Sequence, residues 1–202
     1  RQRHDQMIAR EQQRNREFRQ RSDAQQRDER EQIARLRREN RNSQFNAQQE
    51  YIQRLERQRR QIAVDQMTYD SIQRHHATAF FAAPIYRYLW QNRYYEANEF
   101  VAEQLRQAVR NGYHEGYMAG RADRSDHWQF NVMGNYAYQD ATLGYPGYYL
   151  DLNEYMFYFR EGFRKGYEDG YYGQWRYGAN MNGHFSIHIH ILNGILRFEP
   201  MY

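Results

Sequence analysis

The chain has 202 residues, enough for one ordinary domain with an arm but short of two large domains. Its net charge of +4 and pI near 9.2 are modest, and its mean hydropathy is -1.19. With no cysteine, neither a disulfide framework nor a Cys-based metal site is open to it, and no run of about 18 apolar residues offers a transmembrane helix.

Tyrosine supplies much of the apolar count, 20 residues beside 11 phenylalanines, while Leu, Ile and Val are scarce. Any core must therefore be aromatic. Every cation except Lys165 is an arginine, a side chain that pairs bidentately with carboxylates and stacks on tyrosine, so the bias suits protein contacts as well as phosphate contacts. The sequence opens on Arg1 rather than methionine, which suggests a trimmed N-terminus such as a signal peptidase leaves, although a truncated chain would look the same.

The first glycine is Gly112 and the first proline Pro84, so the opening stretch lacks both helix breakers and is rich in Arg, Gln, Glu and Ala. It reads as one long helix over residues 1–83, of which residues 1–79 would make a rod of about 120 Å. Opposite charges recur at helical neighbour spacing, as in Glu31 with Arg35 and Glu50 with Arg54. Ile52, Leu55, Ile62 and Tyr69 give a partial heptad seam. Such a segment is either a solvated, charge-laced single helix or disordered polar tail, or a helix that packs laterally against copies of itself or another subunit.

Pro84 ends the rod with a bend, because the residue before a proline is pushed from helical dihedrals. A second helix is expected from Ile85 or Glu96 to Arg124, then a Gly-, Asn- and Tyr-rich connection over residues 125–150 containing the turn signature "GYPGYY". Asp151 with Glu154 three residues on is a capping box opening a third helix through Tyr172. At the end of the chain "HFSIHIHIL" alternates strictly and predicts a strand, with Asn193-Gly194 as a type I′ turn into "ILRFE".

Two stretches repeat one device. "NGYHEGYMAG" at residues 111–120 and "EGFRKGYEDG" at residues 161–170 each carry three glycines spaced by four, Gly112, Gly116, Gly120 and Gly162, Gly166, Gly170. On a helix these form one stripe where another backbone can approach, and each glycine costs about 1 kcal/mol of helix stability relative to alanine. Six of them imply close contact, either between the two ladders or with ladders of neighbouring copies. Tyr113, Tyr117, Phe163 and Tyr167 stand beside the glycines, placed to stack on the facing helix. Neither ladder has the spacing of a nucleotide-binding loop.

Histidines 184, 188 and 190 fall on one face of the expected last strand and are the candidate metal ligands, His184, His188 and His190. No acidic residue or cysteine accompanies them at ligand spacing, so the reading is no metal and no cofactor. Ser186 beside them lacks the base and orienting group of a nucleophilic triad. Charge segregates: residues 1–60 hold seventeen arginines against ten acids, a net +7, and the remainder is -3. A basic helix is also a possible nucleic-acid contact, although its interleaved acids oppose that.

The Gly-Tyr ladder with charged spacers resembles uncharacterised secreted bacterial proteins bearing "GYxxGYxxG" stretches, over residues 111–173. The resemblance implies an extracellular or cell-envelope location and transfers no catalytic residue. The expected architecture is mostly α: a long N-terminal helix (1–83), then a head (84–202) with two GxxxGxxxG helices packed together and a small C-terminal β-hairpin. The expected function is a self-assembling structural protein, not an enzyme, the subunit of an extracellular or envelope filament whose partners are copies of itself. The alternative is a nucleic-acid-binding or adaptor protein using the basic helix.

Overall fold

The computed structural model describes residues 13, 16, 27–67, 82–147 and 150–201. It is mostly helical, with small antiparallel sheets. The expected bend at Pro84 is preceded by residues 68–81, which lie outside the described set, as does most of the rod over residues 1–26.

Within the described residues the N-terminal helix is not continuous. Helix α1 covers residues 27–38 and helix α2 covers Asn42–Met67. Between them Asn40 adopts a left-handed conformation (φ 55°), the Arg41 amide donates to the Leu36 carbonyl and the Asn40 amide to that of Arg37. That is the Schellman pattern, with asparagine in the place glycine usually fills. Asp126 then caps α2 from across the molecule, its carboxylate accepting from the backbone amides of Ser43 and Gln44 at 2.9 and 2.8 Å. The expectation of an unbroken rod took the absence of glycine and proline as sufficient; asparagine tolerates the left-handed region well enough to end a helix.

Strands β1 (Tyr86–Trp90) and β2 (Arg93–Ala97) form an antiparallel hairpin. Its two-residue turn is Gln91-Asn92, both with positive φ as a type I′ turn requires. Strand β5 (Glu199–Pro200) adds to β1 on the other side. Helix α3 (Glu99–Ser125) starts immediately afterwards, capped by Asn98, whose side chain accepts from the Val101 amide at 3.0 Å.

A short helix α4 (Tyr136–Asp140) lies in the connection to α5 (Leu152–Tyr172). Asp151 caps α5 as its position predicts, accepting from the amides of Asn153 and Glu154. Glycine at 173 closes the helix in the left-handed region. Because rising residue numbers on α3 meet rising numbers on α5, the two helices run parallel, and the segment containing α4 returns the chain to the starting end.

The C-terminal hairpin exists, but not where alternation places it. Strands β3 (Gly178–Met181) and β4 (His184–Ile187) pair across Asn182-Gly183, both with positive φ. The other Asn-Gly pair, at 193–194, lies inside helix α6 (Ile189–Leu196). Period 3.6 overrides period 2 there: Leu192 and Leu196 are both 1% exposed with Ile191 and Ile195 partly buried beside them, Asn193 and Gly194 between the pairs are exposed, and α6 packs on α3 and α5. The expected strand over residues 184–192 is thus half strand and half helix.

The core is aromatic. Tyr51, Tyr113, Tyr155, Tyr158, Tyr167, Phe159 and Phe163 are fully buried with Leu55, Leu105 and Val109. They join residues from α2, α3 and α5 into one cluster.

Candidate functional site

The two glycine ladders face each other. A methyl group added at Gly112, Gly116 or Gly120 would overlap the carbonyl oxygens of Phe159, Phe163 and Tyr167 respectively. One added at Gly162, Gly166 or Gly170 would overlap those of Val109, Tyr113 and Tyr117. Each helix thus lays its backbone in the other's groove, a spacing at which Cα–H groups meet carbonyls. All six glycines are consumed within the chain.

The four aromatic neighbours do not all stack across the groove. Phe163 and Tyr167 belong to a column along α5 itself, Phe159, Phe163, Tyr167 and Tyr171, with successive ring centroids 6.4, 6.1 and 6.0 Å apart. Four-residue spacing sets that column. Tyr117 instead turns toward the β3–β4 hairpin and forms a cluster with Trp175 at 4.7 Å and Phe185 at 4.3 Å, which themselves lie 6.0 Å apart.

Burying tyrosines requires partners for their hydroxyls, and aspartates supply them. Tyr113 donates to Asp169 at 2.8 Å, and the same carboxylate accepts from the amides of Arg176 and Tyr177, pinning the chain after α5. Tyr167 donates to Asp123, which also receives Arg41. Tyr51 donates to Asp140, whose carboxylate is further held by Thr142. Burial raises the carboxyls of Asp123 and Asp140 above their usual range, while their tyrosine, arginine and threonine partners pull the other way. Sequence spacing offered no sign of these pairings, since the partners lie 44 to 89 residues apart.

The arm's cations are drawn into the same arrangement. Arg41 is 6% exposed and sits 4.3 Å from the Trp128 ring centroid as well as on Asp123. Arg54 reaches buried Glu115 at 2.7 Å, and Arg59 approaches Glu29. The described part of the arm is docked on the head.

Of the candidate metal ligands, His188 stands at the N-cap position of α6 without a side-chain cap bond and His190 lies in its first turn, their rings 5.5 Å apart, and the side chain of His184 lies outside the described residues. Among the described residues no group of three or more His, Asp or Glu could hold a metal ion.

A groove of about 1020 Å³ opens between the β1–β2 turn, the loop around α4 and the first half of α5. Trp90 and Tyr95 wall it from the hairpin, their rings 5.5 Å apart, and Phe157, 42% exposed, walls it from α5. Arg160 ties the third side down, donating to the carbonyls of Tyr138 and Gln139 at 2.9 and 2.6 Å. Arg164 is paired with Glu161 and donates to the Tyr138 hydroxyl.

Glu154 lies at this groove but is itself only 5% exposed. The carboxyl does not fold back to complete the capping box; it meets the Tyr88 hydroxyl of β1. Burial, reinforced by Asp151, pushes it up to about 7, against the Tyr88 hydrogen bond. Its Oε1 and the Nε1 of Trp90 are buried without hydrogen-bond partners.

Compared with protein-family models, curated proteins and solved structures, the chain matches none. No helix among the described residues is long and apolar enough to cross a membrane.

Proposed function

We propose that the chain is a structural protein that associates with copies of itself through exposed aromatic side chains, in the cell envelope or outside the cell. The glycine ladders stiffen the head; they are not the contact between copies, because each already fills the other. The observation that carries this reading is the aromatic surface left at the C-terminal end of the ladder. Phe130 and Tyr172 stack at 5.7 Å while 44% and 56% exposed, and Trp175, 42% exposed, caps the Tyr117–Phe185 stack. Rigid aromatic surface open to water is what association interfaces bury.

The reading is non-catalytic. The buried carboxylates Asp123, Asp140 and Asp169 are committed to tyrosine, arginine and backbone partners. It also ranks above nucleic-acid binding, because Arg41, Arg54 and Arg59 of the arm face carboxylates within the chain. The envelope setting rests on the resemblance of the Gly-Tyr ladder to secreted proteins.

Sedimentation velocity and negative-stain microscopy of the full chain test the proposal. Discrete oligomers or filaments are expected, and the double substitution Phe130→Ser with Tyr172→Ser should shift them to monomer without changing the helical signal. A chain that stays monomeric at about 100 µM, well above the range of stable assemblies, overturns it.

A further inference from the structure

Among the described residues five acidic side chains are buried: Glu115, Asp123, Asp140, Glu154 and Asp169. Arg54 pairs with Glu115 and Arg41 with Asp123. Asp140 accepts from Tyr51 and from both the amide and the hydroxyl of Thr142. Asp169 accepts from Tyr113 and from the amides of Arg176 and Tyr177. Each of these four is thus matched by a cation or by three donors. Glu154 has neither: the Tyr88 hydroxyl is its hydrogen-bond partner, and its Oε1 is buried with none. A charged carboxylate so placed is costly, whereas the protonated, neutral carboxyl suits the site.

No cation compensates it. Burial raises the carboxyl, Tyr88 lowers it and Asp151, the cap of its own helix, raises it again, to about 7. Tyr158, one turn along α5, is the other titratable neighbour, and Tyr95 of β2 faces the Tyr88 ring at 5.9 Å. The arginines further along α5 are engaged elsewhere, Arg160 on the carbonyls of Tyr138 and Gln139 and Arg164 on Glu161. Arg87 of β1 pairs with Glu199 in water, and Arg93 and Glu96 of β2 are exposed. Glu154 therefore stands, without a counter-charge, where the β1–β2–β5 sheet meets α5. That sheet is a hairpin of five-residue strands with a third strand of two residues, and so small a sheet depends on what it packs against. Tyr88, the residue that meets Glu154, is also the most buried side chain of β1.

We propose that Glu154 is a proton-operated latch: protonated, it holds the β1–β2–β5 sheet closed on the first turns of α5, and loss of the proton lets the sheet open while the glycine ladder stays shut. The step is the release of one proton to water, with no other bond made or broken. Its direction follows from the burial. In the opened sheet the carboxyl returns to its ordinary range near 4.5, so closure is tightest below that pH and weakens as pH rises toward 7. The latch is independent of self-association, which uses the aromatic surface at the other end of α5.

Hydrogen exchange of the full chain at pH 5 and pH 8, read as protection factors that correct for the intrinsic effect of pH, tests it. Amides of residues 86–97 are expected to lose protection about tenfold or more between the two conditions. At pH 8 the ladder amides of residues 109–120 and 159–170 should remain about tenfold or more better protected than those of the sheet, the sign of a local opening. Glu154→Gln keeps the shape and removes the proton site, so its sheet should show the same protection at both pH values within about threefold. Tyr88→Phe removes the donor that favours the charged carboxyl and should move the loss of protection to higher pH. Sheet protection indifferent to pH overturns the proposal. So does equal protection of sheet and ladder at pH 8, which would make the opening a global unfolding, and so does a pH-dependent loss that persists in Glu154→Gln.

Discussion

Arg41 shows how much a single side chain can carry in a core built from tyrosine. It is 6% exposed, its partner Asp123 is fully buried, and Asp123 is also the acceptor for Tyr167. Removing the cation leaves a buried carboxylate with neutral donors alone, and breaking such pairs typically costs about 3–5 kcal/mol. Arg41→Met should therefore lose about that much in chemical denaturation, with the loss smaller at low pH, where Asp123 takes up a proton. Replacing both partners, Arg41→Met with Asp123→Asn, should recover part of it, since the asparagine is neutral and still accepts from Tyr167.

Glu154 makes a second prediction at this scale. Its folded-state value near 7 lies above its ordinary 4.5, so the native protein holds the proton more tightly than the unfolded chain. The stabilisation is complete below pH 4.5 and is lost as pH rises through 7; stability falls with pH across that window. The whole effect is on the order of 3 kcal/mol if this group titrated alone. Denaturant midpoints between pH 4.5 and 8 should fall for the natural chain, and Glu154→Gln should remove this contribution to the slope.

At the scale of elements, the ladder separates glycines that are needed from one that is not. Alanine favours a helix by about 1 kcal/mol over glycine, so an unhindered substitution stabilises. At Gly194, in α6, nothing lies within 4 Å of the added methyl group, and Gly194→Ala should raise stability by about 0.5–1 kcal/mol. At Gly116 and Gly166 the methyl group meets the facing helix backbone, which cannot rotate away as a side chain would. Each of these substitutions should forfeit the propensity gain and lose at least about 2 kcal/mol by forcing α3 and α5 apart. Thermal melts of the three variants decide it: equal effects at all three positions would mean that the ladders are not in contact.

At the scale of the molecule, the arm and head are one structure over the described residues. Tyr51, Ile52 and Leu55 of α2 are core residues, and Arg41, Arg54 and Asp126 form reciprocal links between arm and head. Deleting residues 1–60 would therefore unfold the head instead of testing association, whereas removal of residues 1–26 keeps α1, α2 and all these links. The truncated chain starting at residue 27 should retain the melting temperature of the full chain within a few degrees, checked by circular dichroism; a collapse of the transition would place part of the folded core upstream.

The sequence alone determined the features that depend on neighbours along the chain. Helix α5 begins after Asp151 and ends before Gly173 because a capping side chain and a left-handed glycine are local devices. The four-residue glycine spacing likewise announces close approach on any helix, whatever fills it. Tertiary structure decided what filled it: the ladders meet in parallel only because α4 and its flanking loops carry the chain back. It also decided which Asn-Gly pair turns, since the helix at 189–196 turns Ile191, Leu192, Ile195 and Leu196 inward and leaves Asn193 and Gly194 facing out, and which tyrosine each aspartate serves. The groove follows the same rule. Trp90 and Glu154 are 64 positions apart, and only packing of β1 against α5 makes them neighbours of one space, because burial and hydrogen-bond pairing are set by the whole fold and not by local propensity.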